Sequence, residues 1–307
     1  MKHDLKITLL LIFIFISAQL IGLLITTRYL DQDETARTGK AEFSALPFNT
    51  ERPDVEESQS FIWIMMGVLL GTVLVLLLIK FRKLAIWRIW FLLSVTLCLT
   101  VAFSAFMPDW MAFIIALTLG LLKIFRPTIL IHNTTELFIY GGMAAIFAPI
   151  INVFSAVMLL LLISAYDIYA VWKSKHMIKM AEFQSQSRLF AGLMIPYHKK
   201  DNVVKIEKKS QKPVKGKKTE KVRNAILGGG DIGFPLIFAG VVLKTLVAIG
   251  VNIYDAFLQT LIITGFTTIA LAFLLFKSRE DKFYPAMPFL SAGCFIGYGI
   301  VWLINLN

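Results

Sequence analysis

Asp167 and Asp231 are the two acidic residues that lie well inside strongly apolar stretches of this 307-residue chain. The first sits in Ala165-Tyr166-Asp167-Ile168-Tyr169. The second follows three glycines in Leu227-Gly228-Gly229-Gly230-Asp231-Ile232-Gly233-Phe234-Pro235. A carboxylate at hydrocarbon depth is costly, so an intramembrane ionisable residue is a functional-site hypothesis by default. Two carboxylates a few ångströms apart cannot both ionise cheaply, and such a pair shares a proton. One can then act as general base on a water while its protonated partner polarises a peptide carbonyl. The pair titrates as a unit, so base and acid roles are not assigned to individual residues. Gly228, Gly229 and Gly230 would let another backbone, or a substrate strand, come close to Asp231. The same two carboxylates could instead bind a cation or proton in a transporter, and spacing alone leaves that alternative open.

The composition says where such a pair must work. The chain is 57% hydrophobic with mean hydropathy +0.72, and only 17% of its residues are charged. Soluble domains are about 45–50% apolar, so this is a multi-pass membrane protein of all-α class. Lys and Arg outnumber Asp and Glu by 31 to 20, and fifteen of those 31 lie between Lys173 and Arg223. A single basic loop beside a membrane accounts for the charge, which argues against a nucleic-acid partner. Cys98 and Cys294 lie in apolar segments without metal-ligand spacing and read as reduced packing residues.

Nine apolar runs are expected to span the bilayer: Ile7–Thr26, Phe61–Ile79, Ile86–Phe106, Met111–Phe125, Ile129–Phe147, Ile151–Trp172, Ala225–Gly250, Tyr254–Phe276 and Pro285–Leu306. The first begins like a signal peptide, but it is long for one and no small-x-small cleavage site follows it. The fourth is short, and the fifth is weakened by His132, Asn133 and Glu136. The chain therefore divides into helices one to six (1–172, with a polar loop at 27–60), a basic loop (173–224) and helices seven to nine (225–307). The loop is expected to be mobile through Lys199–Lys221. Its Leu189–Tyr197 stretch is apolar enough to pack against the membrane or the site mouth.

Every second connection is basic: Lys80/Arg82/Lys83, Lys123/Arg126, the 173–223 cluster and Lys277/Arg279/Lys282. The alternation puts the N-terminus in the cytoplasm and the C-terminus outside. Asp167 then lies about 24 Å into span six, and Asp231 about 8 Å into span seven from the opposite direction. In a hydrocarbon core of roughly 30 Å, both fall near the cytoplasmic face on consecutive antiparallel helices.

Tyr166-Asp167, Gly228-Gly229-Gly230-Asp231 and Pro285-Ala286-Met287, in spans six, seven and nine, resemble the Tyr-Asp, Gly-x-Gly-Asp and Pro-Ala-Leu motifs of the presenilin and signal peptide peptidase family of intramembrane aspartyl proteases. Met287 departs from the family's Leu, a volume-conserving change. The resemblance implies that Asp167 and Asp231 are catalytic and that Pro285 and Ala286 pack beside them. Tyr166, the three glycines and Met287 are expected to shape the site. It also implies membrane-spanning or signal-peptide-like helices as substrates, the bilayer of the cell membrane as the workplace, and no cofactor. The N-inside orientation resembles presenilins, whereas signal peptide peptidases are inverted, and the chain's size looks like that of a microbial, archaeal homologue. No His-Glu-x-x-His or Gly-x-Ser-x-Gly pattern supports another proteolytic chemistry.

Plainer readings stand beside these. Asp231 could be a helix N-terminal carboxylate favoured by the dipole, and Asp167 an interfacial residue reaching toward Lys173 and Lys175. His132 and Glu136 share a helix face four residues apart, and a mutual hydrogen bond is favoured over a ligand role. Lys244 is expected to snorkel toward the outer surface. A strand edge near Arg223–Leu227 could pair with an unwound substrate.

Overall fold

A computed structural model describes residues 5–81, 83–173, 180, 183, 189–198, 222–278 and 284–306. The expectation of a mobile Lys199–Lys221 stretch falls outside them. Ten α-helices are described: α1 Leu5–Tyr29, α2 Gln32–Thr38, α3 Ser60–Lys80, α4 Leu84–Ser104, α5 Asp109–Phe125, α6 Ile129–Phe147, α7 Val153–Ile168, α8 Gly229–Ala248, α9 Ile253–Lys277 and α10 Met287–Ile304. A π-helical turn, Tyr169–Lys173, prolongs α7. Among the described residues, seven helices are long and apolar enough to cross a membrane: α1, α3, α4, α7 with its π turn, α8, α9 and α10. The fourth and fifth expected spans form regular helices, α5 and α6, of 17 and 19 residues.

Lys123 of α5 and His132 and Glu136 of α6 turn inward. Lys123 of α5 is 1% exposed, and its Nζ lies 2.6 Å from Oε1 of the equally buried Glu136 on α6. The same ammonium donates to Thr135 Oγ1 at 2.9 Å and to the His132 carbonyl at 3.3 Å. Lys123 is therefore not the loop charge the sequence suggested; a buried ammonium with three acceptors needs no headgroup.

The all-α expectation also needs amending. Two antiparallel two-stranded sheets accompany the helices: β1 (Leu30–Asp31) with β2 (Glu42–Phe43), and β3 (Gly192–His198) with β4 (Val222–Gly228). β3 contains the apolar Leu189–Tyr197 stretch's core, and β4 runs into α8 without a break. Leu193 and Ile195 are buried while Met194 and Pro196, which alternate with them, are partly exposed, the pattern of a half-buried strand.

Helix packing relies on small residues. Gly293 and Gly297 of α10, four apart, would place a Cβ 2.8 Å from the Phe266 carbonyl and 2.6 Å from Ile263 Cα of α9, so only glycine permits this approach. α8 occupies the centre. Residues 19, 22 and 26 of α1 face 232, 236 and 240 of α8, and 140, 143 and 148 at and after α6 face 229, 233 and 240. Both neighbours thus run parallel to α8. Lys244, near the far end of α8, is 5% exposed and binds Glu57 Oε1 at 3.1 Å and the Pro149 carbonyl at 2.8 Å. It does not snorkel to water, because a protein carboxylate and carbonyl lie closer.

Candidate active site

Asp167 is the penultimate residue of α7, and Asp231 is the third residue of α8. The end of one helix and the start of the next in this pair therefore meet at one level. Asp167 is 4% exposed, Asp231 is half-buried, and the two are close enough to act on each other electrostatically. Three elements converge on the pair.

The first is α10. Its opening sequence is Pro285-Ala286-Met287-Pro288, with Ala286 as the N-cap. A helix start carries four N–H groups without intrahelical partners. Met287 N–H donates to Asp167 Oδ2 at 3.1 Å. The helix N-terminus thus faces an acidic group, the favoured polarity. Farther along, Ser164 Oγ lies 2.9 Å from Ser291 Oγ, so positions 164 and 167 of α7 track 291 and 287 of α10. Pro285, Ala286 and Met287 are buried at this contact. The thioether at 287 fits, and it is the backbone N–H, indifferent to side-chain type, that touches Asp167. Among the described residues the Asp167 carboxylate bonds α10 and not Lys173, while Lys175 of the plainer reading lies outside them.

The glycine segment is the second. Gly228 is the N-cap of α8, and its backbone lies close to the Asp231 carboxylate. A Cβ on Gly228 would lie 3.1 Å from Asp231 Oδ2. Gly229 is more confined: a Cβ there would be 3.1 Å from Tyr140 Oη, 3.2 Å from Tyr140 Cε1 and 3.3 Å from the Ala191 carbonyl, to which Gly229 N–H itself donates at 3.1 Å. Gly230 has looser surroundings, with only the Phe234 ring near. The three glycines therefore differ. The first makes room for the carboxylate, the second for α6, and the third lies exposed.

The third is the hairpin β3–β4 and the polar face of α6 that holds it. Asn133 Nδ2 donates to the Met194 carbonyl at 2.9 Å, and Met194 N–H donates to Asn133 Oδ1 at 3.0 Å. His132 Nε2 lies 2.8 Å from the Gly192 carbonyl; a carbonyl only accepts, so this nitrogen carries the proton. His132 and Glu136 do not bond each other, contrary to the expected pair: His132 turns to β3, and Glu136 is claimed by Lys123 and by the Tyr140 hydroxyl.

The Tyr166 hydroxyl lies 2.9 Å from Thr72 Oγ1 on α3. Gln19, buried in α1, donates to the Ile232 carbonyl at 2.9 Å, one residue past Asp231. Pro235 has no N–H to offer the Asp231 carbonyl four residues earlier, so this turn of α8 is held partly from outside. Sequence reasoning passed over Tyr140 and Gln19, and met Asn133 only as a residue that weakens the fifth run. A polar side chain in each apolar run was the available signal, but its partner was not legible. Among the described residues, no cluster of three His, Cys, Asp or Glu is placed to hold a metal ion.

Comparison with known proteins bears on the fold and the family. The chain's fold is similar to two solved structures of a presenilin family intramembrane aspartate protease. One, in space group C222, matches with a TM-score of 0.62 at 16% identity, covering 97% of this chain and 99% of that one. The other, in space group P2, has a TM-score of 0.59 at 16% identity over 96% and 97%. No curated protein sequence matches. A sequence model described as signal-peptide peptidase, presenilin aspartyl protease matches residues 40–305, most of the chain and all three motifs. The chain belongs to the signal-peptide peptidase and presenilin family of aspartyl proteases.

Proposed function

We propose that Asp167 and Asp231 are the catalytic pair of this intramembrane aspartyl protease. The observation that carries the reading is their meeting at the junction of α7, α8 and the N-terminus of α10. One carboxylate takes a proton from a water as its oxygen attacks the scissile carbonyl, and the protonated partner hydrogen-bonds the developing oxyanion. Collapse of the tetrahedral intermediate breaks the C–N bond, and the leaving amine takes up a proton from the pair.

A transmembrane helix hides its carbonyls in its own hydrogen bonds and must open first. Asn133 occupies both backbone groups of Met194, which in an antiparallel ladder marks 194 and its partner Ile226 as a pair not bonded to each other. The outward backbone groups of β3 are thus capped by α6, and Pro196 has no N–H to offer there. On β4 the corresponding outward residues are Asn224 and Ile226, leading directly to Gly228 and Asp231. A substrate segment adding to that edge as a third strand would be delivered to the carboxylates.

The nine long helices of this reading all cross the membrane, α5 and α6 included, because their polar residues are satisfied inside the protein. The N-terminus is cytoplasmic and the C-terminus extracytoplasmic, the protein resides in the cell membrane, and its substrates are transmembrane or signal-peptide-like segments.

The test is cleavage of a transmembrane reporter peptide by purified protein reconstituted in sealed vesicles. Asp167→Asn and Asp231→Asn keep size and polarity but remove the ionisable group, so each should lower the rate by about 10²–10⁴-fold or more. Ion flux across the vesicles with no peptide cut by wild type is the result a transporter would give, and it would overturn the proposal.

A further inference from the structure

A charged chain that the hydrolytic step does not use runs through the protein toward the glycine segment. Lys123, Glu136 and Tyr140 are 1%, 2% and 2% exposed. An ion pair inside a membrane protein is expensive, and satisfying it fully constrains the geometry around it. Glu136 binds Lys123 through Oε1 and accepts the Tyr140 hydroxyl through Oε2, so the phenol is fixed in rotation as well as position. Its ring and oxygen then lie against Gly229, where a Cβ would be 3.1 Å from Oη and 3.2 Å from Cε1. Gly229 N–H is held from the other side by the Ala191 carbonyl at 3.1 Å. One turn before Glu136 on the same face, His132 and Asn133 fix Gly192 and Met194.

We propose that Tyr140, locked by the buried Glu136–Lys123 pair, is a positioning residue that sets the first turn of α8 and thereby the placement of Asp231. This rests on the protease reading above and adds to it a part of the machinery outside the three motifs. Tyr140 does not touch the reacting atoms. It is the wall against which the middle glycine stops, two residues before the carboxylate. The absence of a side chain at 229 is the complement of the phenol at 140, so the two positions act together.

The experiment is a double-substitution cycle on the full-length chain, reconstituted in phosphatidylcholine vesicles with a transmembrane reporter peptide. kcat and KM are measured well below the unfolding midpoint of every variant. Tyr140→Phe removes one oxygen and leaves the Lys123–Glu136 pair in place. It should lower kcat on the order of ten-fold with KM unchanged, within the ~100-fold expected of a 1 Å misplacement. Gly229→Ala should lower kcat further. The double variant should be no worse than Gly229→Ala alone, because removing Oη takes away the nearest of the atoms the new methyl meets. A purely structural role would lower the unfolding midpoint of Tyr140→Phe while leaving kcat at the wild-type value, and that result overturns the assignment. So do losses in the double variant that simply multiply. Wild-type protein that cuts no peptide overturns the protease reading and this assignment with it, whereas active wild type with an equally active Tyr140→Phe overturns this assignment alone.

Discussion

α3 and α8 are nearly equal in length, 21 and 20 residues, yet they occupy opposite situations. The most apolar stretch of α3 has mean hydropathy 2.8 with 6% of it buried, against 1.8 with 78% buried for α8. In water the more apolar helix would be the buried one. In a bilayer the relation is reversed, because lipid tails are as apolar as leucine and do not drive helices together. What places α8 at the centre is its glycines, its inward lysine and its carboxylate, each of which needs protein around it. α3 meets α7 through Thr72 and Tyr166, and Ser155 Oγ donates to the Glu57 carbonyl just before it, at 2.6 Å. Chemistry and close packing thus belong to the less hydrophobic helix.

The contrast can be broken most sharply at glycine. A Cβ on Gly240 of α8 would lie 3.1 Å from Ala148 Cβ and 3.4 Å from Thr26 Cγ2. Gly240→Leu should therefore destabilise the protein by about 1–3 kcal/mol, as overpacking does, read as a lower unfolding midpoint in detergent. The smallest effect is expected on α3, where a Cβ at Gly67 or Gly71 meets nothing within 4 Å. Gly67→Ala and Gly71→Ala should stay within about 0.5 kcal/mol of wild type, or gain slightly from helix propensity. Equal losses at Gly240 and Gly67 would dissolve the distinction between the two helices.

The same contrast explains what the sequence could disclose. Helix positions follow from apolar runs, and the two aspartates stand out because ionisable residues are rare there. Their depth follows from a fixed rise per residue, which is why α7's end and α8's start could be matched in advance. Side-chain partners follow from no such rule. Lys123 looked interfacial because it lies near the end of a short run, yet Glu136, thirteen residues on, draws it inside. His132 and Glu136 share a face, but β3 competes for one and Lys123 and Tyr140 for the other. β3 was legible only as an apolar stretch in a basic loop, because its pairing with β4 joins residues about thirty apart. The glycines of Gly228–Gly230 read alike on paper and act differently, since each meets a different neighbour.

The central claim is that α7 and α8 bring their two carboxylates into one site. The direct measurement uses Asp167→Cys and Asp231→Cys together, in a chain carrying Cys98→Ala and Cys294→Ala. A short bifunctional thiol reagent should bridge the two cysteines in the folded, membrane-embedded protein, seen as a fragment of altered mobility that survives a cut between residues 199 and 221. Bridging by long reagents while short ones fail would separate the two carboxylates and contradict the shared site.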